Sequence, residues 1–105
     1  MNENKIREVI SDYECSNLED GQHNTIYHFS NVPKRFTVTI FKHTTLVRDE
    51  KVQPIGVLYM AELDGQNKMY TVFSDSIPVL THEDFENNLR RIGVDVPKRK
   101  EMGEP

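Results

Sequence analysis

Histidines are the side chains best suited to bind a metal ion or to transfer a proton near neutral pH. The chain has four, His23, His28, His43 and His82. A transition-metal site needs three or four ligands that converge, and the spacing of these histidines follows no ligand motif. His82 opens a predicted helix, where we expect it at the surface. The sequence therefore predicts no metal site and no cofactor.

A nucleophile or a pair of carboxylates could also support catalysis. Cys15 is the single cysteine, and near the end of a predicted helix we expect it to be a small buried apolar residue. Glu83, Asp84 and Glu86 cluster in the first turn of another predicted helix, where the helix dipole accounts for them. The sequence has no Gly-x-Ser-x-Gly elbow, Gly-rich phosphate loop, His-Glu-x-x-His or Cys-x-x-Cys. We therefore expect a protein that is not an enzyme.

Basic residues are concentrated in the middle of the chain. Residues 31–60 carry a net charge of +3, whereas the whole chain carries −4. The basic side chains of this region are Lys34, Arg35, Lys42, His43, Arg48 and Lys51. Tyr27, Phe29 and Phe41 lie in or beside it, and single-strand-binding proteins combine such a cationic surface with aromatic rings on which bases stack. Weak binding of single-stranded nucleic acid is therefore an alternative function, although the acidic net charge disfavours it.

Two predicted helices enclose the remaining elements. The apolar stripe of the first helix is Ile6, Val9, Ile10 and Tyr13. This spacing predicts a helix over 3–15. Thr81 as N-cap, with Asp84 three positions later, and Gly93 as the terminating residue predict a second helix over 82–92.

Strands fill the chain between the helices. The sequence predicts four, over 25–30, 36–43, 55–62 and 69–73. Short connections, including an Asp64-Gly65 turn, favour antiparallel neighbours, while residues 16–21 have the composition of a turn. The prediction is a single α+β domain over 1–93, a four-stranded antiparallel sheet with two flanking helices in the order α-β-β-β-β-α. Residues 94–105 are predicted to be a flexible tail.

The strand over 55–62 is apolar on both faces. We predict that Val57 and Tyr59 share the core face with Val38, and that the intervening residues lie on the opposite face. The interface candidates on that opposite face are Phe41, Leu58, Met60 and Tyr70. If both helices cover the core face, the opposite face is an apolar patch of the kind that marks protein interfaces. If one helix covers each face, no such patch exists.

These patterns favour a small non-enzymatic protein-binding module. Such a module would act as a regulator, inhibitor or assembly factor through its sheet face or an edge strand. Its partner would be another protein or a second copy of the chain. A short, charged chain without catalytic motifs is also typical of accessory proteins of phages and mobile elements. The single cysteine and the absence of a leader or a long apolar run predict the cytoplasm and no membrane.

Overall fold

Two helices and one antiparallel sheet form the structure. The computed structural model describes residues 3–41, 55–63 and 66–100. In chain order the elements are α1 (Glu3–Ser11), β1 (Asn17–Asp20), β2 (Asn24–Phe29), β3 (Phe36–Phe41), β4 (Ile55–Leu63), β5 (Gln66–Phe73) and α2 (His82–Arg91). The predicted α+β class is confirmed. Neither of these two helices is long and apolar enough to cross a membrane.

The sheet has five strands in the order β1-β2-β3-β4-β5, and every neighbouring pair is antiparallel. The prediction of four strands is wrong, because residues 16–21 were assigned to a turn although they contain β1. Asn and Asp are disfavoured in strands, and all four residues of β1 are exposed. Neither its composition nor an apolar alternation therefore predicts this strand. It is stabilised by backbone pairing with β2. The predicted Asp64-Gly65 turn lies outside the described residues.

Both helices pack on the same face of the sheet. Their apolar residues join the inward-facing residues of β2 to β5 in one hydrophobic cluster. The helical and near-helical members are Ile6, Val9, Ile10, Tyr13, Phe85 and Leu89. The sheet members are Tyr27, Phe29, Phe36, Val38, Ile40, Leu58, Met60, Val72 and Phe73. The alternative of one helix on each face is therefore wrong.

The sequence signals at both ends of α2 are confirmed. The backbone N–H of Asp84 donates to the Thr81 hydroxyl oxygen at 3.2 Å. The Asp84 carboxylate accepts from the backbone N–H groups of Leu80 and Thr81 at 2.9 and 3.0 Å, which completes a capping box. These backbone donors lower the pKa of Asp84. At the other end Gly93 has a φ of 80°, the left-handed conformation that ends many helices.

The alignment of the three C-terminal strands is fixed at Gly56. This residue pairs with Ile40 of β3 on one side and with Phe73 of β5 on the other. The ring of Phe73 lies so close that a Cβ on Gly56 would be 2.1 Å from Phe73 Cε1. The β4–β5 pairing shifts by one residue beside Gly56, and both Val72 and Phe73 are buried there. Because any side chain at position 56 would collide with the ring, glycine is required in this register.

The C-terminal segment, residues 94–100, packs on the domain. The backbone N–H of Glu14 donates to the Lys98 carbonyl oxygen at 2.8 Å, and that of Lys100 donates to the Asp12 carbonyl oxygen at 2.7 Å. The prediction that a flexible tail begins at residue 94 is therefore wrong for this segment. Residues 101–105 lie outside the described residues. Pairing with the end of α1, which the sequence pattern does not reveal, holds the segment in place.

A partly buried hydrogen-bond network joins the residues just after α1 to α2 and to the C-terminal segment. The hydroxyl of Tyr13, a fully buried residue, donates to Glu86 Oε2 at 2.6 Å. Arg99 Nη2 lies 2.7 Å from the same oxygen. Burial raises the pKa of Tyr13, and the Glu86 carboxylate raises it further. Burial also raises the pKa of Glu86, but Tyr13 and Arg99 lower it more, so it lies below the ordinary value of 4.5.

Removal of the α2 cap should destabilise the domain. We expect Thr81→Ala to reduce the free energy of unfolding by about 1 kcal/mol, because the Asp84 N–H loses its acceptor. Thr81→Ser, which keeps the hydroxyl, is the control and should stay near wild type. Urea denaturation measures both variants. Equal midpoints for the alanine and serine variants would contradict the capping assignment.

Acid should weaken the network around Glu86. A carboxylate with a lowered folded pKa stabilises the protein above its unfolded pKa, and this stabilisation is lost as the pH falls through the folded pKa. The wild type should therefore lose stability as the pH falls below 4.5, the ordinary pKa of a glutamate. We expect the Glu86→Gln variant to lose less stability over the same pH range. Glu83→Gln is the control, because it removes one charge from an exposed position of α2. Its stability should fall with pH as steeply as that of the wild type. Thermal denaturation as a function of pH distinguishes them, and two parallel profiles would exclude the proposed role of Glu86.

Candidate protein-binding surface

The face of the sheet opposite the helices, here called the open face, is defined by the strand register. Tyr59 of β4 pairs with Thr37 of β3 and with Met69 of β5, and directly paired residues share a face. The members of the open face in β2 to β5 are Asn24, Ile26, His28, Thr37, Thr39, Phe41, Ile55, Val57, Tyr59, Met69 and Thr71. Apolar residues, threonines and one tyrosine therefore make up this face in β3 to β5, and the polar Asn24 and His28 lie on it in β2.

The large apolar side chains of the open face contact solvent to different extents. Tyr59 and Met69 are 37% and 61% exposed. Ile26, Phe41 and Ile55 are half-buried, and none of them belongs to the hydrophobic cluster beneath the helices. The open face thus carries exposed apolar side chains at Tyr59 and Met69, whereas Thr39 and Val57 between the neighbouring side chains are only 4% and 9% exposed.

Three of the four predicted interface residues lie on the wrong face for that role. Leu58 and Met60 are 0% and 5% exposed and belong to the core beneath the helices, while Tyr70 is partly buried against the same core. Only Phe41 lies on the open face. The prediction was wrong because Leu58 pairs with Val38, so the two faces of β4 are exchanged relative to the expected register.

Val57, Tyr59 and Met69 are the open-face residues that sequence reasoning missed. Both sets of β4 side chains are apolar, so alternation alone does not say which set faces the core. Gly56 could have shown which set faces the core, since a glycine inside a strand often marks the close approach of another group. Placing Gly56 under a core ring puts Leu58 in the core and Tyr59 outside.

Charged side chains are sparse on the open face. Among the described side chains of its five strands, the acidic and basic residues on this face are Glu19 and His28, which contact each other at the β1 side. The central strands contribute only apolar residues, threonines and one tyrosine. A partner that covers β3 to β5 would therefore not have to desolvate a described charge there.

The predicted basic surface is only partly described. Lys34 and Arg35 are exposed in the β2–β3 connection. The other candidates, Lys42, His43, Arg48 and Lys51, lie outside the described residues. Tyr27 and Phe29 are buried in the core, so the expectation that bases stack on these rings is wrong. Binding of nucleic acid through the basic residues stays a prediction.

The residues examined for catalysis have other contacts. Within residues 3–41, 55–63 and 66–100, no three His, Cys, Asp or Glu side chains form a possible metal site. His82 Nε2 lies 2.7 Å from Asp12 Oδ2 and joins the start of α2 to the end of α1. Cys15 is partly buried rather than buried, and its thiol donates to the Asn17 carbonyl oxygen at 2.8 Å. Comparisons of the chain with protein-family models, with curated proteins and with solved structures found no match.

Neighbouring residues of β4 should respond in opposite ways to the same substitution. Leu58→Asp should cost more than the about 2–5 kcal/mol of a buried Leu→Ala change, because it also buries an unpaired carboxylate. Tyr59→Asp places the same group on the open face, where water solvates it, and should leave the monomer folded. Circular dichroism and urea denaturation measure both. A folded Leu58→Asp variant as stable as Tyr59→Asp would contradict the assignment of the two faces.

Proposed function

We propose that this chain is a non-enzymatic protein-binding module that associates with a second copy of itself through the open face. The observation that carries the proposal is the position of both helices on one side of the sheet. The opposite side keeps an apolar surface that includes Tyr59 and Met69. A self-associating module of this kind fits a regulator or an assembly factor.

The composition of the open face supports burial by a partner. A sheet with one face in water normally places polar residues on that face. Here Ile26, Phe41, Ile55 and Val57 occupy such positions in three adjacent strands. Two such faces can pack in an aligned sandwich, in which side chains interdigitate across a layer about 10 Å thick. The driving force is removal from water of what these side chains still expose, and above all of Tyr59 and Met69.

The charge distribution of the open face permits a second copy as the partner. Each chain carries a net charge of −4, so two copies repel each other unless they meet through surfaces that lack acidic groups. The centre of the open face meets this condition, because β3 to β5 present no described acidic side chain there. A two-fold axis through the centre would keep the Glu19 carboxylates of both copies at the margins.

The area of the open face determines how tightly we expect the two copies to associate. Strand spacing and rise give β2 to β5 a footprint of about 19 Å by 20 Å, or roughly 400 Å². Patches of roughly 300–600 Å² are commonly functional, but stable complexes bury about 800 Å² on each partner. We therefore expect a reversible dimer rather than a permanent one. Cys15 would remain a free thiol, which a reducing compartment such as the cytoplasm preserves.

A charge on the open face should dissociate the dimer. We expect Met69→Lys to raise the dissociation constant at least about tenfold, which corresponds to about 1.4 kcal/mol, because the ammonium group would be buried between two apolar surfaces. Leu80→Lys is the matched control, since Leu80 is similarly exposed at 58% but lies in the segment before α2. Both changes add one positive charge.

Sedimentation velocity over a range of protein concentrations measures the association, and urea denaturation verifies the fold. A wild type that stays monomeric at all concentrations would exclude the homodimer. Equal weakening by Met69→Lys and Leu80→Lys would show that association does not use the open face.

A further inference from the structure

The two edges of the sheet are protected differently. At the β5 edge, α2 packs against the strand and Asn88 Nδ2 donates to the Val72 carbonyl oxygen at 2.8 Å. At the β1 edge, no described strand pairs with the outer side. An unpaired edge presents backbone groups that can bind a further strand. The β1 edge is therefore the place where this sheet can be extended.

The backbone of β1 has a defined orientation. Gly21 N–H donates to the Asn24 carbonyl oxygen at 2.8 Å, and the preceding pairs are Asp20 with Thr25 and Glu19 with Ile26. Backbone groups alternate along an antiparallel strand between the two sides. Residues 17, 19 and 21 therefore direct their N–H and C=O groups to β2, whereas Leu18 directs both outward. Leu18 thus offers one donor and one acceptor to an added strand.

A cavity of about 290 Å³ lies beside this edge. Its lining residues are Ser11, Tyr13, Cys15, Asn17, Leu18, Tyr27 and Lys100. Leu18 pairs with Tyr27 on the face that carries the helices, and its side chain is 48% exposed. The cavity is therefore an apolar and aromatic recess between the sheet, the end of α1 and the C-terminal segment.

The edge and the cavity complement each other geometrically. A residue of an added strand directly opposite Leu18 would have its side chain on the same face as Leu18. That is the face on which the cavity lies. One side chain of the added strand would therefore enter the cavity while its backbone bonds to Leu18, as in strand-addition complexes.

Charge defines the neighbouring position of the added strand. Glu19 and Asp20 make β1 acidic, and a residue two positions from the one in the cavity would lie opposite Asp20. Asp20 already accepts a hydrogen bond from Thr25 Oγ1, which itself accepts one from Arg7 Nη1. The two adjacent carboxylates of Glu19 and Asp20 together favour Lys or Arg at that position of the added strand. Lys100 on the cavity lining disfavours a basic residue in the cavity itself.

We propose that the β1 edge binds an extended peptide segment of another protein by strand addition, with an apolar side chain in the cavity and a basic residue two positions away. This contact uses a different surface from the open face and does not depend on dimerisation.

Cys15 provides a direct measurement, because it is the only cysteine and lines the cavity. The probe is the capped peptide Lys-Thr-Leu-Thr-Lys, and the readout is the rate of Cys15 alkylation by iodoacetamide in the full chain. At a peptide concentration of ten times Kd, the rate should fall about tenfold, as occupancy of one site requires. The matched peptides Glu-Thr-Leu-Thr-Glu and Lys-Thr-Asn-Thr-Lys should protect much less.

Leu18→Pro tests the backbone contact, because it removes the outward N–H and no bond to β2. In a variant that circular dichroism shows to be folded, peptide protection should be lost. Amide chemical shifts of the wild type with the peptide supply a second measurement, in which Leu18 should move most. The Met69→Lys variant should retain full protection, which separates this proposal from the open-face dimer.

No protection by the first peptide, equal protection by the acidic peptide, or shifts confined to other surfaces would each overturn the proposal. Deletion of residues 101–105 tests another occupant. If that deletion alone accelerates alkylation as strongly as peptide slows it, the chain's own C-terminus fills the cavity and the proposal is wrong.

Discussion

The contact between Gly56 and the ring of Phe73 determines how the sheet is divided into two faces. In a strand the side-chain period is two, so a shift of one residue exchanges every side chain between core and surface. With Gly56 beneath the ring, Leu58 enters the core and Tyr59 faces outward. The helices cover the first face, and the apolar open face follows from the same alignment.

The sequence contained enough information for the elements that carry local signals. The capping residues Thr81 and Asp84 and the terminating Gly93 marked α2, because these signals act within a few residues. The strand β1 escaped prediction because its stability comes from pairing with β2 and not from its own composition. The faces of β4 were exchanged because both are apolar, and only the long-range contact at Gly56 distinguishes them. Of the four predicted interface residues, only Phe41 lies on the open face.

The arrangement of the helices separates two kinds of surface. Because α1 and α2 share one face, the other face is left to neutral apolar residues, which suit a broad and reversible contact. The sheet edges differ for a related reason: α2 packs against β5 and bonds to Val72, whereas α1 ends before β1 and leaves the recess beside Leu18. Within the described residues, one face and one edge thus remain available. They differ in charge and shape, and the contact would be made by side chains on the face and by backbone groups at the edge.

The position of the C-terminal segment has a consequence for synthesis on the ribosome. Each strand of the sheet pairs with its neighbour in sequence, so hairpins can form as soon as their residues emerge. The segment just after the first helix is different, because Tyr13 bonds to Glu86, which pairs with Arg99, and Glu14 bonds to Lys98. These contacts join residues more than seventy positions apart, and the complete set forms only after Arg99 has left the exit tunnel. The nascent chain can therefore pair its strands before the contacts of Tyr13 and Glu14 become possible.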